Sequence, residues 1–352
     1  MHVLLEPELS PVGTAPWGDL DSSRGSSILD TVMHPPAVLL LLLLDTGAEA
    51  FRICAFNTQR LTLAKVAREH VMDTLVPIVA RCDIMVLQEV VDATDSAVRL
   101  LLRELNRFDD SGPYDYLSSP QLGRSTYMEK YVYVYRCVQA AAVEELLCGA
   151  GSHKTRVLES YVYSDKDDLF AREPFVAQFT LPSSVLPSLA LVPLHTTPKD
   201  VEKELNALHD VFLDVTQHWQ SKDVILLGDF NADCASLPKK RLGELVLRTQ
   251  AGFHWVIGDQ EDTTVRASTH CAYDRIVLHG ERVRGLLQAA GAFRFPKSFR
   301  LSEVEALNIS DHYPVEVELS RAARRLQPLG PATLLLLSLL LPLLPTPLGL
   351  VV

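Results

Sequence analysis

Short apolar runs, each closed by a compact polar residue, recur through the middle of this chain. Ile53-Cys54-Ala55-Phe56 ends at Asn57, Val86-Leu87 at Gln88-Glu89, Leu191-Val192-Pro193-Leu194 at His195, and Val224-Ile225-Leu226-Leu227 at Gly228-Asp229-Phe230-Asn231. Continuous apolar runs of this length are the pattern of buried strands. Helical spacing at 65–80 and 201–219 separates some of them, and further strands are expected at 131–135, 157–163, 175–181, 272–278 and 314–319. Strands mixed in this way with helices predict an α/β chain with mixed sheets. The aromatic and β-branched alternation of Tyr131-Val132-Tyr133-Val134-Tyr135 is echoed at 157–163, and the two read as an antiparallel hairpin around an Ala-rich, insertion-like loop, 137–151.

With 352 residues, 47% of them hydrophobic, the chain can bury a large core, and one domain over 51–319 is expected. A formal net charge of −11 excludes a protein that holds nucleic acid by a generally basic surface. A nucleic-acid substrate would have to be attracted by local arginines and bound cations.

Both ends read as addressing signals. Residues 37–44 are an apolar run too short to span a bilayer, and Ala48-Glu49-Ala50 fits a cleavage site. Initiation at Met33 makes 33–50 a signal peptide, leaves 1–32 as a polar, untranslated lead, and starts the mature chain at Phe51. Residues 332–352 are Leu-rich and uncharged, and upstream of them Ser320-Arg321-Ala322 has small residues at its first and third positions. This is the arrangement of a GPI-attachment signal with Ser320 as the acceptor, the other reading being a C-terminal transmembrane helix. Either one puts the folded body in the secretory pathway, in the lumen of the endoplasmic reticulum and on the outer face of the cell membrane. Six cysteines then permit disulfides, with fifteen possible pairings. Cys234 and Cys271, each flanking a site motif, are the preferred pair, whereas Cys54 and Cys82 fit free buried thiols equally well. The sequon Asn308-Ile309-Ser310 makes Asn308 a glycosylation candidate.

The polar strand-end residues include Asn57, Glu89, Glu129, His195, Asp229, Asn231, Asp274, Asp311 and His312. Any one of them is more often a cap or loop residue than a functional one. Together they are the set that phosphodiester hydrolysis needs: carboxylates for a divalent cation, an imidazole near neutral pKa, and donors for charged oxygens.

The segments "FRICAFN", "VLQEV", "LGRSTYMEKYVYVYR", "FAREPFV", "LVPLHTTP", "VILLGDFNADC", "HCAYDRIV" and "ISDHYPVEV" carry these residues in order. Over 51–319 they resemble the deoxyribonuclease I family of the exonuclease-endonuclease-phosphatase superfamily. The resemblance implies a four-layer α/β sandwich, two packed mixed β-sheets flanked by helices. It implies a low-specificity endonuclease that cuts double-stranded DNA and leaves 5′-phosphates. His195 and His312 would be the acid-base pair, oriented by Glu129 and Asp274 respectively. Glu89, Asp229 and Asp311 would hold Mg²⁺, with Mn²⁺ able to substitute, while Asn57 and Asn231 position the phosphate. Arg124, Tyr127 and Arg172 would contact DNA. Structural Ca²⁺ is expected near Asp165, Asp168, Phe170 and Glu173, and at Asp262 with Thr264. A monomer is implied, and the prototype's actin-binding surface is left open. Two departures stand out: Val91 replaces a groove-contacting arginine of the prototype, and the prototype's small disulfide before "REP" is missing.

Overall fold

The structure is a computed structural model that describes residues 50–109, 112–137 and 155–321. The expected lead, signal peptide and hydrophobic tail, and nearly all of 137–151, lie outside the described residues. Within them the strands are β1 (Ala50–Leu61), β2 (Ile84–Val90), β3 (Tyr114–Ser118), β4 (Lys130–Arg136), β5 (Arg156–Val162), β6 (Phe175–Thr180), β7 (Ser188–Pro193), β8 (Val224–Asp229), β9 (Phe253–Trp255), β10 (Asp274–His279), β11 (Leu287–Ala292) and β12 (Val315–Ser320). The helices used below are α1 (Leu63–Val66), α2 (Glu69–Ala80), α3 (Ser96–Phe108) and α4 (Val201–Trp219).

Two 6-stranded sheets result, ordered β11-β12-β1-β2-β4-β3 and β5-β6-β7-β8-β10-β9. Each has one parallel pair, β1 with β2 and β7 with β8, and is otherwise antiparallel. Side-chain alternation sorts the strand residues into layers. Ile53, Ala55, Ile84, Val86, Tyr131 and Tyr133 pack against Ala177, Leu191, Ile225, Leu227 and Ile276 between the sheets. On the outer face of the first sheet, Cys54, Phe56, Met85 and Leu87 meet Val71, Leu75 and Ile78 of α2 and Val98 and Leu101 of α3. On the outer face of the second, Val192, Val224 and Leu226 meet Leu205, Leu208, Val211 and Val215, a helical stripe on α4. The four-layer sandwich is the expected fold.

Two expectations are corrected and one open alternative is decided. β4 and β5 do not form a hairpin: β4 pairs with β2 and β3 in the first sheet, and β5 pairs with β6 in the second. Matching alternation marks two strands as half-buried but says nothing about their partner. Cys54 and Cys82 are not free thiols; they form a disulfide, as Cys234 and Cys271 do. The β1-α2-β2 crossover brings Cys82, two residues past the end of α2, back beside β1. Ser320, expected as an accessible lipid acceptor ahead of a spacer, closes β12 opposite Ala50 and is buried.

Candidate active site

Strand direction gathers the polar residues at one end of the sandwich. Asn57 lies in the last part of β1, Glu89 near the end of β2, and His195 and Asp229 at the ends of β7 and β8. β4, β10 and β12 run antiparallel to these strands, so Glu129, Asp274 and the 310–312 segment enter at the same end. Backbone strain concentrates there too: Gln59, Arg60, Glu89 and Asn231 all have φ between 46 and 61°. Non-glycine residues in that region persist only where their surroundings hold them.

Two imidazole-carboxylate pairs face each other across the cleft. His195 Nδ1 lies 2.7 Å from Glu129 Oε1, and His312 Nδ1 lies 2.8 Å from Asp274 Oδ2. The free edges converge, with His195 Nε2 at 3.5 Å and His312 Nε2 at 3.6 Å from the same atom, Asp229 Oδ2. The His195 peptide is held on both sides: its N–H donates to Tyr131 Oη, and its carbonyl accepts from Arg172 Nε and Nη2. Thr263 Oγ1 donates to Asp274 Oδ2, and Ser310 Oγ donates to the Asn57 carbonyl while accepting from His312 N–H. The sequence reading missed Tyr131, Thr263 and Ser310. Their neighbours in the motifs were the only signal for them.

Charge coupling follows from this geometry. Burial disfavours both imidazolium ions, but Glu129 outweighs it at His195 and raises that pKa. At His312, Asp274, then Asp229 and Asp311, outweigh burial and push the pKa up to about 10. Burial likewise opposes ionisation of Asp229, yet the two imidazoles and the Asn231 and Asn57 donors hold its carboxyl below the usual range. Asp274 is raised, by burial and then by repulsion from Asp229.

A group whose folded pKa is raised stabilises the fold fully below its unfolded value and loses that contribution as pH climbs through the folded one. In metal-free buffer, the melting-temperature gap between wild type and His312→Gln is therefore expected to be largest below about pH 6.5. It should shrink as pH rises through about 10. A gap independent of pH over that window would show that the carboxylates do not hold an imidazolium.

Known proteins resemble this chain. Residues 54–312 fit the profile described as the Endonuclease/Exonuclease/phosphatase family. Deoxyribonuclease-1-like 1 of Homo sapiens is 74% identical over 311 residues, covering 88% of this chain and 98% of its own length. The chain belongs to this family, in its deoxyribonuclease I branch. Deoxyribonuclease gamma of Rattus norvegicus is 42% identical over 287 residues, 80% of this chain and 89% of that protein. Among solved structures, an endonuclease/exonuclease/phosphatase family protein from Leptotrichia buccalis shares the fold. It has a TM-score of 0.53 at 16% identity, covering 77% of this chain and 99% of that one.

The site also gathers acidic groups that could hold a metal. Asn57 Nδ2 donates to Glu89 Oε1 at 3.0 Å and to Asp229 Oδ2 at 3.1 Å, so one amide draws together carboxylates from both sheets. Like charges gathered around an amide, all with hard oxygen donors, fit a divalent cation such as Mg²⁺. Asp311 makes itself felt electrostatically at His312 and Lys65. Asp229, Asp274 and His312 also have their ligand atoms within 4.8 Å of one another, a grouping the sequence reading had divided between metal and proton transfer. Asn231 reaches the Thr196 carbonyl through Nδ2.

The remaining predicted residues are placed as follows. Tyr127 Oη donates to Glu89 Oε2, and its ring carries Arg60 at 5.5 Å. Arg172 is largely buried against His195 and lies 3.4 Å from Glu129 Oε1, while Arg124 pairs with Asp168. That pairing turns Asp168 toward Arg124, and Asp165 Oδ2 accepts from Phe170 N–H. The carboxylates that line the neighbouring cavity, of about 260 Å³, are Asp165, Asp167, Asp210 and Asp214; Glu173 is not among its lining residues. Asp262 already accepts from Thr264 and contacts His270 Nδ1. Asn308 Nδ2 donates to the Val304 carbonyl.

Proposed function

We propose that this chain is a divalent-cation-dependent endodeoxyribonuclease of the secretory pathway. It hydrolyses the P–O3′ bond of double-stranded DNA with little sequence preference and leaves 5′-phosphate ends. One observation carries the reading: two oriented imidazoles present their Nε2 edges to one carboxylate oxygen, beside paired acidic donors. Glu89, Asp229 and Asp311 would hold Mg²⁺, or Mn²⁺ in its place, and a bound cation neutralises charge developing on the phosphate.

The two imidazoles divide the proton work. Carboxylates raise the proton affinity of both, Glu129 at His195 and Asp274 at His312. One of the pair takes the proton of the attacking water, and the other delivers one to the departing 3′-oxygen. Asn57 and Asn231 orient the phosphate, with Tyr127, Arg124 and Arg172 on the DNA side and Ca²⁺ stabilising the peripheral acidic loops. Contacts to the backbone position a duplex without reading its bases, which is the physical basis of low specificity.

Supercoiled plasmid is expected to be nicked by the purified domain with Mg²⁺, with EDTA removing activity and readdition restoring it. End-labelling should find 5′-phosphates. Undiminished nicking in EDTA would sink the cation dependence; phosphate release from lipid, with plasmid left intact, would sink the DNA reading.

Two disulfides support an oxidising compartment. β12 carries the chain from the site to the opposite end of the sheet at Ser320, so a tether beyond it leaves the cleft facing away from its attachment. No helix among the described residues is long and apolar enough to cross a membrane. A phosphatidylinositol-specific phospholipase is expected to release the protein from intact cells as an active monomer. Retention in the membrane fraction after that treatment would replace the GPI anchor with a transmembrane tail.

A further inference from the structure

Gln88 occupies a position where the strand pattern calls for an apolar residue. In β2, Ile84 and Val86 face the core between the sheets, and Gln88 continues that series with no exposed surface. Its amide spans the gap: Nε2 donates to the Leu194 carbonyl at 2.8 Å, and Oε1 accepts from Asp229 N–H at 2.8 Å. Its own carbonyl accepts from Thr58 Oγ1 at 2.7 Å. Leu194 precedes His195, Thr58 follows Asn57, and Gln88 itself precedes Glu89. One residue is thus bonded to, or adjacent to, the cleft ends of the four strands β1, β2, β7 and β8.

The partners of the Gln88 amide are backbone groups, the Leu194 carbonyl and the Asp229 N–H, which no substitution removes. A methionine or leucine would fill the same core but leave that buried N–H without its acceptor. What an apolar side chain cannot do is fix two strands at a set distance through a donor and an acceptor on one terminal group.

We propose that Gln88 is a positioning residue. It holds Asn57 and Glu89 of the first sheet at a fixed separation from His195 and Asp229 of the second. This rests on the nuclease reading only for its kinetic consequence; the geometry of the cation site follows from the same clamp.

Gln88→Met and Gln88→Glu, both close in shape, test it. For Gln88→Met the expected result is a folded protein whose kcat for plasmid nicking falls about 10²-fold, the cost of a misplacement near 1 Å. KM for DNA should stay within about threefold, and the Mn²⁺ dissociation constant, measured without DNA by electron paramagnetic resonance, should rise about tenfold. Wild-type kcat and wild-type Mn²⁺ affinity in Gln88→Met would overturn the proposal. Should that variant not fold, Gln88→Glu decides, since it keeps an acceptor for Asp229 N–H but loses the donor to Leu194. A kcat loss of at least roughly tenfold is then expected, and a wild-type kcat overturns the clamp. Wild-type protein that fails to nick plasmid would overturn the nuclease reading instead, and the Mn²⁺ measurement would still decide the clamp.

Discussion

His195→Ala and His312→Ala are each expected to lower kcat for plasmid nicking by about 10³-fold or more, with KM for DNA little changed. Both imidazoles are largely shielded from solvent and are fixed by short bonds to buried carboxylates. On the proposed mechanism, removing one takes away a proton-transfer group that acts only as the P–O bond breaks, which is a transition-state loss rather than a binding loss. The double variant should fall little further than either single variant, because two groups serving one transition state are not additive. Comparison of the three variants under single-turnover conditions checks this. Equal cleavage by wild type and both single variants would remove the histidines from the chemistry. A large rise in KM with unchanged kcat would move them to substrate binding.

Much of this site was legible in the sequence because its residues sit at the ends of buried strands. An apolar run of four residues says where a strand lies, and the first polar residue after it says where the side chain can leave the core. His195 after Leu194 and Asp229 after Gly228 were found in this way. The pairing of each histidine with its carboxylate came from the family resemblance, since Glu129 and His195 are 66 positions apart and no local pattern links them. Partner choice between strands was the least legible feature. β4 and β5 share an alternation yet lie in different sheets, because alternation reports one buried face and not the neighbour across it. β11, Leu-Gln-Ala-Ala-Gly-Ala, was missed since small residues carry no strand propensity, and only pairing with β12 makes it a strand. The Cys54–Cys82 bond was hidden for a related reason: a buried apolar setting suits a thiol and a disulfide alike.

Gly228→Ala is expected to destabilise the protein by about 4 kcal/mol, the largest stability loss from a single added methyl group in the cleft. Two independent costs meet at this position. Its φ is +132°, a conformation that side-chain-bearing residues rarely adopt, and a Cβ there would lie 2.5 Å from both Gln88 Nε2 and the Leu194 carbonyl oxygen. The Leu194 oxygen belongs to backbone that is itself tied to Leu227, so it has little freedom to retreat. The Gln88 amide can move only by giving up its bonds to Leu194 and Asp229. Whichever side yields, the ends of β7 and β8 separate from β2, so activity should fall along with stability and be regained only partly on cooling. Denaturant unfolding of the purified domain measures the first effect and plasmid nicking at low temperature the second. Wild-type stability in Gly228→Ala would mean that the two sheets can shift apart freely at the cleft. A rigid spacing between the Asn57-Glu89 and His195-Asp229 sides would then have no basis.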